Sequence, residues 1–146
     1  MMDTQGMDKW DETFSKHEVV KEYPEKDSII KSIEYLLLKL PLMDNRDIVQ
    51  EKKIWREYNG NKNCFLSIAK SIEYQNIPPK KKIIRGEMIL NAVYLREDKS
   101  DETKIYLINN IDLKITSMID LINKIVKKKP KEFIENLIKF CKKCKK

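Results

Sequence analysis

Asp112-Leu-Lys-Ile-Thr-Ser-Met-Ile-Asp-Leu-Ile-Asn-Lys-Ile-Val126 and, past Pro130, Lys131-Glu-Phe-Ile-Glu-Asn-Leu-Ile-Lys-Phe-Cys141 form the stretch on which the reading of the fold turns. Ile115, Met118, Ile119, Ile122, Ile125 and Val126 recur at helical spacing, and Phe133, Leu137, Phe140 and Cys141 resume the stripe. The opposite face carries lysines. The pattern predicts a long amphipathic helix between about Asp112 and Lys146, with Thr116 or Ser117 as N-cap and Asp120 in the first turn, where a carboxylate suits the helix dipole. Pro130 lacks an N–H and crowds the preceding turn, so a kink or interruption is expected there. A helix of this length needs a broad apolar surface to lie on, and the residues before it read as strands that supply one.

Upstream, Trp10 to His17 reads as a short helix, with Trp10 and Phe14 on one face. Glu18–Tyr23 is a short strand and Ile29–Leu38 a longer one, whose Tyr35-Leu-Leu-Leu half suits burial on both faces. Leu40–Asn45 is an apolar connection, which is unusual because loops normally face water. Ile48–Tyr58 and Asn63–Tyr74 flank Asn59-Gly60, a hairpin signal. Ile83–Arg96 reads as one long strand, Glu97–Glu102 as a charged turn and Thr103–Ile111 as the last strand. Short turns between successive strands imply an antiparallel meander. About six strands with one long C-terminal helix make an α+β architecture in a single domain, residues 1–146.

Composition narrows the function. Residues 112–146 hold eleven lysines against four carboxylates, which accounts for the whole net charge of +7. A basic end on a neutral body fits an anionic partner, membrane or nucleic acid, or simply a wet helix face in a chain rich in Lys, Asn and Ile. No apolar run is long enough to span a bilayer and no signal-peptide pattern opens the chain. Three cysteines do not make a disulfide framework, which fits a reducing, cytoplasmic setting. Cys141 and Cys144 form a lone Cys-x-x-Cys without the other two ligands a tetrahedral metal needs, so no metal or other cofactor is expected. With three glycines the chain has no phosphate-binding or nucleophile-elbow motif. His17, the single histidine, reads as a surface residue, and no nucleophile–base pair argues for an enzyme. The anomaly lies in Ile48–Tyr58, where Gln50, Lys52 and Arg56 share the phase of Ile48 and Ile54. Either the strand is half-exposed with long side chains over apolar surface, or it lines an apolar cavity with a few polar anchors.

Four motifs in order carry a resemblance: Trp10-Asp11; Pro41-Leu-Met-Asp-Asn-Arg46-Asp47-Ile-Val; Pro78-Pro-Lys-Lys-Lys-Ile-Ile-Arg85-Gly-Glu87; and Thr103-Lys104 to Ile111-Asp112-Leu-Lys. Together they resemble the StAR-related lipid-transfer (START) family over nearly the whole chain. The resemblance implies a helix-grip fold, a curved antiparallel sheet around the C-terminal helix with one lipid in the tunnel between, and makes Leu40–Asn45 the loop over the tunnel mouth. It implies a non-enzymatic carrier that moves a phospholipid or sterol between membranes. Family domains begin with a helix and three strands before Trp-Asp, whereas nine residues precede Trp10 here. The expectation is therefore the C-terminal two-thirds of such a domain, with the edge of Thr103–Ile111 open to self-association.

Site residues follow by matching positions. In phosphatidylcholine-binding members the Asp of Trp-Asp and several aromatics surround choline. Asp11 is present and Tyr35 holds one aromatic position, but two others fall on Ile48 and Ile89, and the phosphate-binding Arg falls on Met7. A cation–π cage needs ring faces, so this pattern argues against choline. In sterol-binding members a buried basic residue pairs with an acid, and its position matches Lys52, with Asp11 or Glu34 as partner. Leu42 and Met43 fall on the mouth loop, and Val126, Phe133 and Leu137 on helix positions that touch lipid. Lys127, Lys128, Lys129 and Lys131 are the expected dock on an anionic membrane, with the protein peripheral there. The alternative is a basic nucleic-acid-binding domain. It requires exposed rings beside lysines, whereas Trp10, Phe65, Tyr74 and Phe133 lie on apolar phases. The resemblance thus implies a lipid ligand and no nucleic acid.

Overall fold

The computed structural model describes residues 11–24, 26, 28–40, 42–59, 62–99, 102–116 and 119–144. Seven strands precede one helix: β1 Phe14–Tyr23, β2 Ile30–Leu38, β3 Asn45–Asn59, β4 Lys62–Ser71, β5 Ile83–Arg85, β6 Glu87–Lys99, β7 Glu102–Asp112 and α1 Ile119–Cys144. The sheet runs β1-β2-β3-β4-β6-β7, antiparallel at every step of that path. β5 lies off the path and pairs in parallel with Asn45–Asp47 at the start of β3. The α+β class and the helix-grip order of elements read from the sequence are therefore present.

Three details differ from the sequence reading. The expected helix from Trp10 to His17 is replaced, from Phe14 onward, by the first half of β1. Two aromatics one turn apart offer a helix little, whereas an extended chain gains a backbone ladder along the whole of β2. Register shifts between Phe14 and Lys16 and between Val19 and Lys21 break the two-residue period that would have announced the strand. Second, the single strand expected over Ile83–Arg96 is cut at Gly86. The Gly86 N–H donates to Asp47 O at 2.8 Å, and a Cβ there would stand 3.3 Å from Asp112 O. A side chain there would have to push this backbone aside by a few tenths of an ångström, and the strand changes partner at that point. This break yields the seventh strand. Third, β4 ends at Ser71, and Ile72, Tyr74 and Ile77 fold over one sheet face instead of extending the strand.

Strand alternation sorts the core into two clusters. Leu36, Leu38, Ile48 and Met88 pack with Phe14 and Ile111 on one face. Ile33, Tyr35 and Val49 pack on the other with Val20, Tyr23, Leu37, Ile72, Tyr74 and Ile77. The helix is continuous through Pro130, so the missing N–H removes a rung without ending the ladder. It is described from Ile119, with Asp120 in its first turn; Thr116 lies in the connection before it, and Ser117 is outside the described residues. Phe133, Ile134, Leu137 and Phe140 are half-buried along one face, and Lys128, Lys129, Lys131 and Lys139 are exposed. No helix among the described residues is long and apolar enough to cross a membrane.

Candidate functional site

The apolar face that carries Leu36 and Ile48 also carries charge. β2 and β3 pair Glu34 with Gln50 and Ser32 with Lys52, so these four side chains share the face. Glu34 is 0 % exposed. Its Oε1 accepts from Ser32 Oγ at 3.1 Å and lies 3.4 Å from Lys52 Nζ. Its Oε2 accepts from Gln50 Nε2 at 3.0 Å and lies 3.2 Å from His17 Nε2. The His17 imidazole is 0 % exposed, contrary to the surface position expected from the sequence. His17 pairs with Leu36 across β1 and β2, which sets it on the diagonal to Glu34 on the same face. Its Nε2 approaches the Glu34 carboxylate closely but without the alignment of a hydrogen bond.

Burial alone would raise the Glu34 pKa. The His17 contact, the Lys52 charge and the Gln50 hydrogen bond outweigh it and bring the pKa down to about 2. A carboxylate held that firmly is a poor general base and a stable anion around which polar groups are ordered.

A second buried carboxylate, Asp47, sits where β3, β5 and the 77–78 loop meet. Arg85 donates to it through Nε at 2.7 Å and Nη2 at 3.2 Å, and Nη2 also reaches Ile77 O at 3.3 Å and Pro78 O at 3.5 Å. Arg46 donates from Nε to Leu113 O at 3.0 Å and from Nη1 to Asp44 O. The Arg46-Asp47 and Arg85-Gly86 pairs therefore tie the start of β3 to β5 and to the approach to the helix. Beside them lies an open cavity of about 350 Å³, lined by Leu42, Met43, Asp44, Arg46, Ile84 and residues 114–116. Leu42 is 81 % exposed with a φ of 61°, and Lys114 has a φ of 52°. Along β3, Arg46 and Gln50 are four residues apart, about 13 Å, so this cavity and the Glu34 cluster are separate places.

The structure brings some of the expected site residues together and parts others. Lys52 meets Glu34 rather than Asp11. Asp11 is buried in a local turn, where its Oδ1 accepts from Thr13 N at 3.0 Å and its carbonyl from Phe14 N at 3.1 Å. Phe14 opposes Leu38 while Lys52 opposes Ser32, a separation of about 20 Å along β2. Tyr35 is on the opposite face from Lys52, packed in the second apolar cluster, with Lys80 Nζ 4.6 Å and Lys16 Nζ 5.8 Å from its ring centroid. Ile48 is 0 % exposed in the first cluster. Ile89 is 43 % exposed at the bulge between Met88 and Leu90. Phe133 and Leu137 are half-buried on the helix. Lys128, Lys129 and Lys131 are exposed, Lys129 3.1 Å from Glu132 and Lys131 3.9 Å from Glu135. Trp10 and the side chains of Val126, Lys127 and Cys144 lie outside the described residues.

Gln50 was visible in the sequence as a polar residue in an apolar phase. His17 was not, because β1 carries bulges on both sides of it. The only available signal was its distance from β2, two register steps beyond Glu34 on a neighbouring strand.

A family model for the START domain matches residues 1–146. Among solved structures the fold is similar to human StAR-related lipid transfer protein 5, with a TM-score of 0.79 and 20% identity, covering 94% of this chain and 64% of that one. It is similar also to human STARD10, with a TM-score of 0.73 and 16% identity, covering 96% of this chain and 56% of that one. A further match is the lipid transfer and protein localization domain of human StarD13, with a TM-score of 0.61 and 20% identity over 76% of this chain and 53% of that one. The chain thus spans less than two thirds of the length of each of these structures. No curated protein sequence matches it.

Proposed function

The chain belongs to the START domain family, and from that premise we propose that it binds one lipid, of the phospholipid or sterol class, in an interior space between sheet and helix and carries it between membranes. The observation that carries this reading is the Glu34 cluster. A carboxylate, an ammonium, an amide and an imidazole are gathered on an otherwise apolar sheet face that also holds Leu36, Ile48 and Met88. A surface that is apolar except for a few fixed polar groups suits an amphiphile, chain against the first and head against the second. The energetic reason for a carrier is direct: each CH₂ of a lipid chain costs about 0.8 kcal/mol to expose to water.

In this reading Lys52 and Glu34 meet the head group, Ile48, Phe133 and Leu137 belong to the apolar lining, and Leu42 and Met43 stand at the mouth. Asp11 and Tyr35 support the scaffold and do not meet the head. The protein acts as a binder rather than an enzyme, in the cytoplasm and peripherally at anionic membranes, with Lys128, Lys129 and Lys131 facing the surface. The nucleic-acid alternative draws no support from Phe65, Tyr74 and Phe133, which are half-buried rather than presented for stacking. Native mass spectrometry of the purified chain, together with transfer of labelled lipid between vesicles, tests the proposal. One lipid per chain and protein-dependent transfer are expected, and a lipid-free protein that accepts none from vesicles contradicts it.

A further inference from the structure

The sheet has two edges, β1 and β7, and they are built differently. β1 carries two extra residues, Ser15 and Val20, where its register against β2 shifts. Each bulge breaks the regular row of N–H and C=O groups that another strand would need. Exposed Lys16, Glu18, Lys21 and Glu22 add charge along the same edge. β7 is not blunted in this way. The register shifts of the β6–β7 ladder come from extra residues on β6, Ile89 and Asp98, so β7 runs from Glu102 to Asp112 without a bulge of its own. Ile105 to Asn110 contains no charge, proline or glycine, a composition that pairs readily with another strand. Among the described residues β7 pairs only with β6, which leaves alternate N–H and C=O groups of a regular strand facing outward. Tyr106 and Ile108, 52 % and 60 % exposed, stand on one face of that edge. The Tyr106 ring is already braced by Tyr94, with ring centroids 5.9 Å apart.

We infer that β7 is an interface for a second copy of this chain, joined antiparallel about a two-fold axis at Leu107. Such a contact is isologous, each residue meeting the one equally far beyond Leu107 on the other strand. Tyr106 then lies opposite Ile108 of the second copy, and Ile108 opposite Tyr106 of the second copy. The exposed side chains of each edge cover those of the other, and an aromatic facing a β-branched residue is a favourable cross-strand pair. Lys104 faces Asn110 and meets no like charge. Glu102 faces Asp112 at the ends, where each already has a cation, Lys99 at 3.6 Å from Glu102 and Lys114 at 2.6 Å from Asp112. The edges that remain free are the two blunted β1 strands, so the product is a closed dimer rather than a fibre. One added ladder is a small contact for a specific interface, so the dimer forms and dissociates with concentration. The interface lies at the rim of the sheet, and the inference stands apart from the lipid-carrier reading.

The test uses the full chain. Sedimentation velocity over about a hundredfold range of concentration is expected to show a monomer–dimer equilibrium. Amide exchange of the unaltered chain, followed by NMR, locates the contact. Alternate amides of residues 103–111, those turned away from β6, should gain protection as concentration rises, while the amides of β1 stay as they are. In a mixture of isotope-labelled and unlabelled chain, contacts between copies should join the Tyr106 ring to the Ile108 methyls. Tyr106→Glu and Ile108→Lys change exposed side chains and leave the fold in place. Each alters two symmetry-related pairs, so each should raise the dimer dissociation constant by about tenfold. The double variant sets opposite charges face to face and should recover most of that loss. A double variant weaker than either single one, as an axis at Tyr106 or Ile108 would give, overturns the pairing about Leu107. A monomer at every concentration with β7 exchange unchanged overturns the inference, and so does a dimer whose protection and contacts fall on another surface.

Discussion

Asp47 and Glu34 are both sealed at 0 % exposure in the same sheet, and they differ in what they leave over. Asp47 meets a guanidinium fork whose geometry matches a carboxylate, and the fork's Nη2 also reaches two loop carbonyls. That pair closes on itself and joins β3, β5 and the 77–78 loop. Glu34 is met by four different groups on three strands, and two of them, His17 and Gln50, keep polar atoms without a hydrogen-bond partner. The first arrangement holds a fold together. The second carries a cost that a ligand can offset. Burial and charge alone do not tell these two carboxylates apart; the count of unmet hydrogen-bonding valences around them does.

The sharpest way to break the comparison is to remove the partner from the closed pair. Arg85→Met leaves Asp47 buried and unpaired, a change that costs about 3–5 kcal/mol in buried pairs. The lower end is expected here because the Arg85 side chain is 25 % exposed. Urea unfolding measures it, and a loss under about 1 kcal/mol would mean that Asp47 finds other partners.

Acid titration comes next in size. The Glu34 pKa lies at about 2 against an ordinary 4.5. A depressed carboxylate adds stability above its unfolded pKa and loses it as pH falls through the folded one. The stability from this group should be complete above pH 4.5 and drain away towards pH 2, by about 3 kcal/mol. Glu34→Gln should flatten that part of the acid limb. An acid limb of equal slope in the variant would place the effect elsewhere.

Lys52→Met probes the open cluster from its partly exposed side. Because Ser32, Gln50 and His17 still surround Glu34, the fold should survive while the bound-lipid profile changes by about tenfold between head-group classes, the scale of one charge-assisted hydrogen bond. An identical profile removes Lys52 from the site. The smallest effects are expected on the helix. Replacing Lys128, Lys129 and Lys131 by Gln should weaken binding to phosphatidylserine vesicles by roughly 1 kcal/mol each at low salt, less for Lys129 and Lys131, which neighbour Glu132 and Glu135. Vesicle sedimentation that ignores both salt and these changes would leave the lysines as solubility groups.

Much of this was written in the chain, and the gaps have identifiable causes. The helix face from Phe133 to Phe140 and strand β7 follow from the period of their apolar residues, and β2 follows from an apolar run that is buried on both faces. β1 was hidden by two bulges, which shift the phase of its side chains between Phe14 and Lys21. The cut at Gly86 was invisible because it depends on backbone from β3 and from Asp112, remote in sequence. Lys52 stood out as a basic residue in an apolar phase, but its partner had two candidates until the register put Ser32 and Glu34 beside it. Tyr35 fell on the other face for the simplest reason: it is adjacent to Glu34, and neighbours in a strand point opposite ways.

The open side of β7 follows the same logic at the edge of the sheet. Among the described residues it pairs only with β6, and its exposed apolar side chains are Tyr106 and Ile108, rather than the half-buried Ile105 and Leu107. Tyr106→Lys with Ile108→Thr should lower any concentration-dependent association seen by sedimentation, since charge on an edge strand opposes pairing with another chain. A protein that sediments as a monomer at all concentrations would show that this edge recruits no second copy.

The central claim is that a lipid head docks on the Glu34 cluster, and the lone histidine offers the most direct measurement of it. The ring ¹⁵N and ¹³C resonances of His17 should shift when the chain is loaded with one lipid, because the imidazole lies within the cluster, 3.2 Å from Glu34. Full lipid occupancy by native mass spectrometry, with His17 resonances unchanged from the empty protein, would contradict the account.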